Sequence, residues 1–190
     1  MAWKTVTYEL TSDAPMLMHN GQTADPLNKY SKAMKAVSSK RAKTDADYEE
    51  MARIEFTAGL YMNGDGPCIP AHVMDAVIVN AAKKVKEGMS AKAGVYCAEH
   101  ADLDYDGPRD VTQMWADERF RHVAAVRVSM ARVMRTRPIF REWKARVTMK
   151  YEDSLVNLSQ LDRWMDIAGT QIGVGDWRPQ HGRFSAKRIA

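Results

Sequence analysis

Arg141-Glu-Trp-Lys-Ala-Arg-Val-Thr-Met-Lys-Tyr151 alternates strictly: Trp143, Ala145, Val147, Met149 and Tyr151 fall on one side of an extended chain, and Lys144, Arg146, Thr148 and Lys150 on the other. Successive side chains of a strand point to opposite faces, so this segment reads as a strand with one face in a core and one cationic face in water. Downstream, Asn157 opens a helix whose Leu158, Leu161, Met165 and Ala168 lie at helical spacing, with Gly169 as the expected stop. A glycine-rich loop then runs from Gly169 through Gly173 and Gly175 to Gly182, and a last strand is expected over residues 183–189. The end of the chain therefore reads strand, helix, glycine loop, strand.

Upstream, Trp3 to Leu10 also alternates, with Val6, Tyr8 and Leu10 on the core side. Turn chemistry from His19 to Pro26 is followed by two polar helices, about 27–38 and 44–59, the second opened by the capping-box variant Thr44-Asp-Ala-Asp47. The first is short of apolar residues and is expected to be exposed or mobile. Tyr61-Met-Asn-Gly-Asp-Gly-Pro-Cys-Ile-Pro70 is a turn-rich approach to a helix that runs from Pro70 to about Glu87, faces a core with Val73, Val77, Ala81 and Val85, and ends at Gly88. Residues 94–107 read as short strands or turns, Asp110 as the cap of a short helix through Trp115, and residues 122–135 as β, with a break at Arg137-Pro138. This order predicts an α+β, ferredoxin-like (RRM-like) βαββαβ antiparallel sheet with helices on one face, one domain over residues 1–190 carrying a basic helical insertion at about 20–60.

Composition narrows the function classes. The hydrophobic fraction of 45% and charged fraction of 27% in 190 residues suit one packed core and argue against disorder. No stretch approaches the roughly 20 apolar residues of a membrane span, and Met1-Ala-Trp-Lys-Thr5 lacks the order of a signal peptide, so a cytoplasmic protein without a membrane partner is expected. Cys68 and Cys97 form no CxxC pair and read as reduced thiols. The net charge of +4 is mild but unevenly spread. Lys29, Lys32, Lys35, Lys40, Arg41 and Lys43 form a run without an acid, and the cations from Arg127 to Lys150, Arg135 and Arg137 among them, are opposed only by Glu142. Seven acids between Glu99 and Glu118 make an acidic middle. A basic side and an acidic side suit a phosphate backbone or a neighbouring copy of the chain.

Several motifs carry two readings each. The glycine loop follows a helix and leads into a strand, which excludes a dinucleotide fingerprint, and it lacks the Gly-Lys-Ser/Thr of a P-loop; no cofactor is expected. Its glycines serve either a tight turn or a close approach to a ligand, for which Trp177, Arg178, His181 and Arg183 supply a stacking ring and phosphate contacts. The run from Lys29 to Lys43 is either a solvated face or an arm that orders on nucleic acid. Asp102-Leu-Asp-Tyr-Asp-Gly-Pro-Arg-Asp110 copies the start of a calcium loop, but Gln113 stands where the bidentate glutamate belongs, and an acidic turn is the expectation. The histidines show no metal spacing, and no bound metal or catalytic triad is expected.

Cys68-Ile-Pro-Ala-His-Val-Met-Asp-Ala-Val77 resembles the I-P-G-x-x-h-x-x-A-h segment of the RAMP superfamily, the CRISPR backbone-type and related RNA-binding proteins, with Ala71 in place of the family glycine. Ile172-Gly-Val-Gly-Asp-Trp-Arg-Pro-Gln-His-Gly-Arg-Phe184 resembles that superfamily's closing loop and strand, and also the tails of small tailed-phage proteins, so the expectation extends to a phage-encoded relative in a bacterial host cytoplasm. The resemblance implies a ferredoxin-like fold, guide or single-strand binding, head-to-tail assembly with copies of itself along a strand, and other effector-complex subunits as partners. It also places Asp25 in the region where some backbone subunits carry a cleaving aspartate, against the plainer reading of a turn residue before Pro26. Together these readings predict a non-catalytic binder of single-stranded RNA, or less favourably DNA. The alternatives are a virion or other structural assembly subunit and a metal-dependent ribonuclease using Asp25.

Overall fold

A computed structural model of the chain describes residues 2–64 and 66–190. In chain order the elements are β1 (Trp3–Ser12), β2 (Met16–Leu17), α1 (Lys29–Ser38), α2 (Asp45–Gly59), β3 (Met62–Asn63), β4 (Gly66–Ile69), α3 (Ala71–Lys84) and α4 (Gly88–Gly94). They continue with β5 (Val95–Cys97), β6 (Ala101–Asp104), α5 (Val111–Ala116), β7 (Arg121–Val128), β8 (Ala131–Phe140), β9 (Lys144–Glu152), α6 (Leu158–Ile167) and β10 (Phe184–Arg188). The turn expected over residues 61–70 and the reading of the N-terminus include Asp65 and Met1, which lie outside the described residues. Among the described residues no helix is long and apolar enough to cross a membrane.

The chain divides into two compact units, one of Met1–Met16, Met62–Asp106 and Phe140–Ala190, the other of Leu17–Tyr61 and Gly107–Ile139. The first holds an antiparallel sheet in the order β10-β1-β9-β6-β4-β3, with β5 also paired to β9. Taking β1, α3, β5 with β6, β9, α6 and β10 as successive βαββαβ elements, the first strand lies between the last and the third. That is the ferredoxin-like arrangement the sequence predicts. The alternating residues do as expected: Val6, Tyr8 and Leu10 of β1 and Ala145, Val147 and Met149 of β9 are buried, as are Leu161, Trp164 and Met165 of α6. On α3 the buried stripe is Met74, Val77, Ile78, Ala81 and Ala82, so the expected stripe is shifted by one residue and broadened, with Val73 and Val85 at its margin. Both cysteines are buried and free. Burial, with Asp102 nearby, pushes the Cys68 thiol up to about 11.

Two expected stops fall elsewhere. Gly88 does not end the helix from Pro70; α3 ends at Lys84, Lys86 takes φ 64°, and Gly88 begins α4. The intervening turn is anchored by Glu87, whose carboxylate accepts from Trp164 Nε1 at 2.6 Å and from Gln160 Nε2 at 3.3 Å. Gly169 does not end α6 either, since a π turn over Ala168–Ile172 continues the helix to Gly173, which has φ 74°. Asn157 opens α6 as expected, and the structure adds Gln160, which forms a capping box with it.

In the second unit, α1 lies against α2, and β7 and β8 form a hairpin that joins β2 in the order β2-β8-β7. The break expected at Arg137-Pro138 is absent. β8 runs through it to Phe140, and the chain reverses at Ser129 and Met130 instead. Pro138 is tolerated because it occupies the last pair of the hairpin, opposite Arg121, with its carbonyl turned to Met18 N–H at 3.0 Å. The run from Lys29 to Lys43 forms α1 and the turn after it, and in space it does meet an acid: Lys40 pairs with Asp47.

Asp47 also closes the capping box with Thr44. The Lys40 ammonium, then the Thr44 backbone N–H, hold its carboxyl down, from 3.8 to about 2. The folded state thus favours the carboxylate, and its contribution to the start of α2 is present above the ordinary value and lost as pH falls through about 2. Thermal melts of wild type and Asp47→Asn are expected to differ at about pH 6 and to converge near pH 2; a difference that persists in acid would count against the capping role of the carboxylate.

Candidate nucleic-acid interface

The face of the first unit's sheet opposite α3 and α6 is open to solvent, and its register decides what it offers. Thr5, Thr7, Glu9 and Thr11 of β1 lie opposite Lys150, Thr148, Arg146 and Lys144 of β9. Tyr96 of β5 lies opposite Lys150, Asp104 of β6 opposite Lys144, and Lys187 of β10 opposite Glu9. The expected cationic face is therefore a mixed one. Glu9 Oε2 comes within 3.7 Å of Arg146 Nε, a pair whose arginine side chain is 75% exposed and which adds little to stability. Around the Lys144 end, Glu9, Glu99, Asp102 and Asp104 outnumber Lys144 and Arg146 about an open basin of 740 Å³. Among the described residues no group of three or more His, Cys, Asp or Glu side chains is placed to hold a metal ion.

The other end of the face differs. Trp3 is 51% and Tyr96 41% exposed, and their rings meet edge to face at 5.1 Å beside Lys150. Two large rings held in solvent on an open sheet, next to a cation, form a surface on which bases can stack. Sequence reasoning missed both rings. In the sequence Trp3 begins a strand and Tyr96 lies in a stretch of short strands or turns, and no local pattern joins residues so far apart.

The glycine loop forms a second feature of the same unit. A shallow cleft of about 680 Å³ is lined by Lys83, Lys84, Gly175, Asp176, Trp177 and Arg178. Trp177 takes φ 53° and meets the His181 ring at 5.9 Å, while Arg183 donates from Nε to the Pro179 carbonyl at 2.8 Å and so braces the loop. Lys83 and Lys84 were not anticipated; they read as ordinary partners of a helix C-terminus. Packing accounts for three of the four glycines, and a Cβ on Gly173 would lie 2.8 Å from the His181 carbonyl oxygen. A Cβ on Gly169 would lie 1.9 Å from the Phe184 carbonyl oxygen, and one on Gly182 1.7 Å from that of Val174, so both serve the loop's own packing. Gly173 is buried at the end of the π turn, and Gly175 lines the cleft.

The remaining predicted cations belong to the second unit. Lys29, Lys32 and Lys35 project from α1, and Lys40, Arg41 and Lys43 follow it, with Lys43 Nζ turned to the Lys40 carbonyl at 2.9 Å. Arg135 and Arg137 lie on β8, where Arg135 Nη1 reaches Glu55 at 3.1 Å. Asp25 is exposed, and its carboxylate accepts the Leu27 N–H at 2.8 Å, the turn chemistry that its place before Pro26 suggests. The calcium-like spacing is not a loop in space: Asp102 and Asp104 stand on the extended β6, and Asp110 caps α5 through Gln113 N–H at 2.9 Å.

The fold defines an α+β protein of the ferredoxin-like class with an open antiparallel sheet. No family model matches the chain, and no curated protein matches it. Among solved structures it is similar to a chain in the cryo-EM structure of the Type III-B Cmr-beta bound to cognate target RNA, with a TM-score of 0.52 and 10% sequence identity. The similarity takes in 98% of this chain and 61% of that one, so this chain spans about three fifths of its neighbour's length. At that identity the likeness is one of fold.

Proposed function

We propose that this chain is a non-catalytic, sequence-tolerant single-stranded nucleic-acid-binding subunit, preferring RNA to DNA, whose copies assemble head to tail along the strand. The observation that carries the reading is the solvent-facing Trp3–Tyr96 pair beside Lys150 on an uncovered sheet. Stacking on rings is indifferent to base identity, and neighbouring cations follow the backbone. The acids around Lys144 repel phosphates, so the strand uses the Lys150 end of the face and the cations of the loop cleft, Lys83, Lys84 and Arg178. Likeness of fold to a chain in a complex bound to target RNA supports RNA as the ligand and other effector-complex subunits as partners. Under this reading the protein works in the cytoplasm, where such strands are available.

The test is fluorescence anisotropy of the full chain with labelled single-stranded RNA, single-stranded DNA and duplex DNA across a salt series, with particle size followed in parallel. Binding is expected to be tightest for single-stranded RNA, to weaken steeply with salt and to be accompanied by growth in size. Absence of binding at low salt would overturn the proposal and leave the charged faces as contacts of a structural subunit. Strand cleavage that needs a divalent ion and disappears in Asp25→Ala would overturn its non-catalytic part.

A further inference from the structure

We infer that the free edge of β7, in the second unit, docks an extended acid-bearing segment of a partner protein by strand addition. β7 ends the sheet order β2-β8-β7, so among the described residues no strand lies along its other side. Register divides its backbone groups. Pro138 has no N–H and lies opposite Arg121, which makes that pair a non-hydrogen-bonded one, and the two kinds of pair alternate along an antiparallel ladder. The N–H and C=O groups of His122, Ala124 and Val126 therefore face β8, and those of Val123, Ala125 and Arg127 face the open side. Such a row is a template for another strand, which proteins commonly blunt with a proline or a bulge. β7 has no proline, and its register with β8 runs without a bulge from Arg121 to Val128.

The side chains beside that edge select what the added strand carries. Val123 is 57% exposed and Met134, diagonal to it on β8, is 60% exposed. Both line a groove of about 960 Å³ whose other residues include Tyr48, Met51 and Ala52 of α2 and Trp115 of α5. Apolar side chains at alternate positions of an added strand fall on the same face and extend this surface. Charge sets the remaining position. From Arg119 to Arg141 the chain holds seven arginines and no Asp or Glu. Arg119, Arg121 and Arg135 meet Asp117, Glu118 and Glu55. Arg127 and Arg132 are exposed and lie opposite each other across the hairpin, and among the described residues neither is paired with a carboxylate. Like charges directly opposite are unfavourable, and a carboxylate facing Arg127 from an added strand offsets their repulsion. Two other occupants fit less well. A second copy of β7 paired about Ala125 would set Arg127 of one copy diagonal to Arg121 of the other, again like charges. Phosphates of a nucleic acid accept from N–H groups but leave the carbonyls of Val123 and Ala125 unanswered, whereas a peptide backbone answers donor and acceptor alike.

The test is anisotropy of the full chain, without RNA, with a labelled eight-residue peptide carrying glutamate, leucine and valine at alternate positions and threonine between, made in both sequence directions. One direction is expected to bind with a Kd of about 100 µM or tighter. Lysine in place of the glutamate should weaken it about five- to tenfold, and Arg127→Glu should reverse that preference. Ala125→Pro removes an N–H from the open edge and none from the hairpin's own ladder, and it should lower affinity by at least about tenfold. Arg127 is exposed, so its variant remains informative if Ala125→Pro folds poorly. No binding of either peptide up to about 1 mM would overturn the proposal, and so would binding unchanged in both variants. Dimerisation abolished by Ala125→Pro without peptide binding would overturn it in favour of a second copy, and RNA affinity lost in both variants without peptide binding in favour of a nucleic-acid strand. A failure of peptide binding leaves the sheet-face reading of the first unit untouched.

Discussion

Replacing Trp3 and Tyr96 together by alanine is expected to weaken single-stranded RNA binding by about 10- to 100-fold, since one stacked base contributes roughly 1–3 kcal/mol and the two rings, in contact with each other, do not act independently. Both rings are half exposed and lie on the sheet face away from the core, so the thermal midpoint should move little. No charge is removed, and the slope of affinity against salt is expected to stay at the wild-type value. Lys150→Ala makes the opposite pattern, a smaller loss of affinity with a salt slope reduced by about 0.7, the value for one phosphate contact on a single strand. Tyr96→Phe keeps the ring and should retain binding. An unchanged affinity in the double variant would remove the sheet face from the interface.

Gly182→Ala is expected to destabilise the fold by roughly 2–5 kcal/mol, combining the strain of a side chain at positive φ with overpacking. At this position φ is 73°, and the new Cβ would fall 1.7 Å from the Val174 carbonyl oxygen, which accepts no such approach without moving the loop backbone. Gly182 also donates its N–H to the Pro15 carbonyl at 2.8 Å and accepts from Val174 N–H at 2.8 Å, so a displaced backbone loses contacts on both sides. Two comparisons calibrate the result. Gly175→Ala carries positive-φ strain at 86° and should cost about 1–2 kcal/mol, whereas Gly21→Ala, with open space around it, should cost close to nothing. Urea denaturation reads all three, and a lower midpoint at unchanged slope is the signature of lost stability. If Gly182→Ala were as stable as Gly21→Ala, the loop would not have the packed conformation described.

The two experiments separate the parts that the loop glycines and the sheet rings play. Glycines that serve the loop's internal packing betray themselves in stability, and residues that meet a strand betray themselves in affinity.

Features that depend on neighbours in sequence were legible without a structure. The alternation of β1 and β9 placed Val6, Tyr8, Leu10, Ala145, Val147 and Met149 in the core, and the Thr44–Asp47 pair and Asn157 marked helix starts. Periodicity and capping are local physics, acting over a few residues. The order strand, helix, strands, helix, strand then left few sheets open, and the ferredoxin-like one is what formed. Stop signals were less dependable. Gly88, Gly169 and Pro138 all look like terminators, yet Gly169 permits the close approach of β10, Gly88 the seating of α4 beside Lys83, and Pro138 closes a hairpin margin.

The sequence by itself determined which side chains of β9 face water, that Lys144, Arg146 and Lys150 are among them, and that a glycine loop joins the last helix to the last strand. Only the tertiary structure decided what stands beside them. Register brings Glu9 to Arg146 and Asp104 to Lys144, which turns an expected cationic face into a mixed one with Lys150 away from those acids, and it brings Trp3 to Tyr96 across the sheet. Alternation states which face a residue occupies but carries no information about which strand will pair with it. That choice is made when the whole core closes, by contacts between residues far apart in the chain.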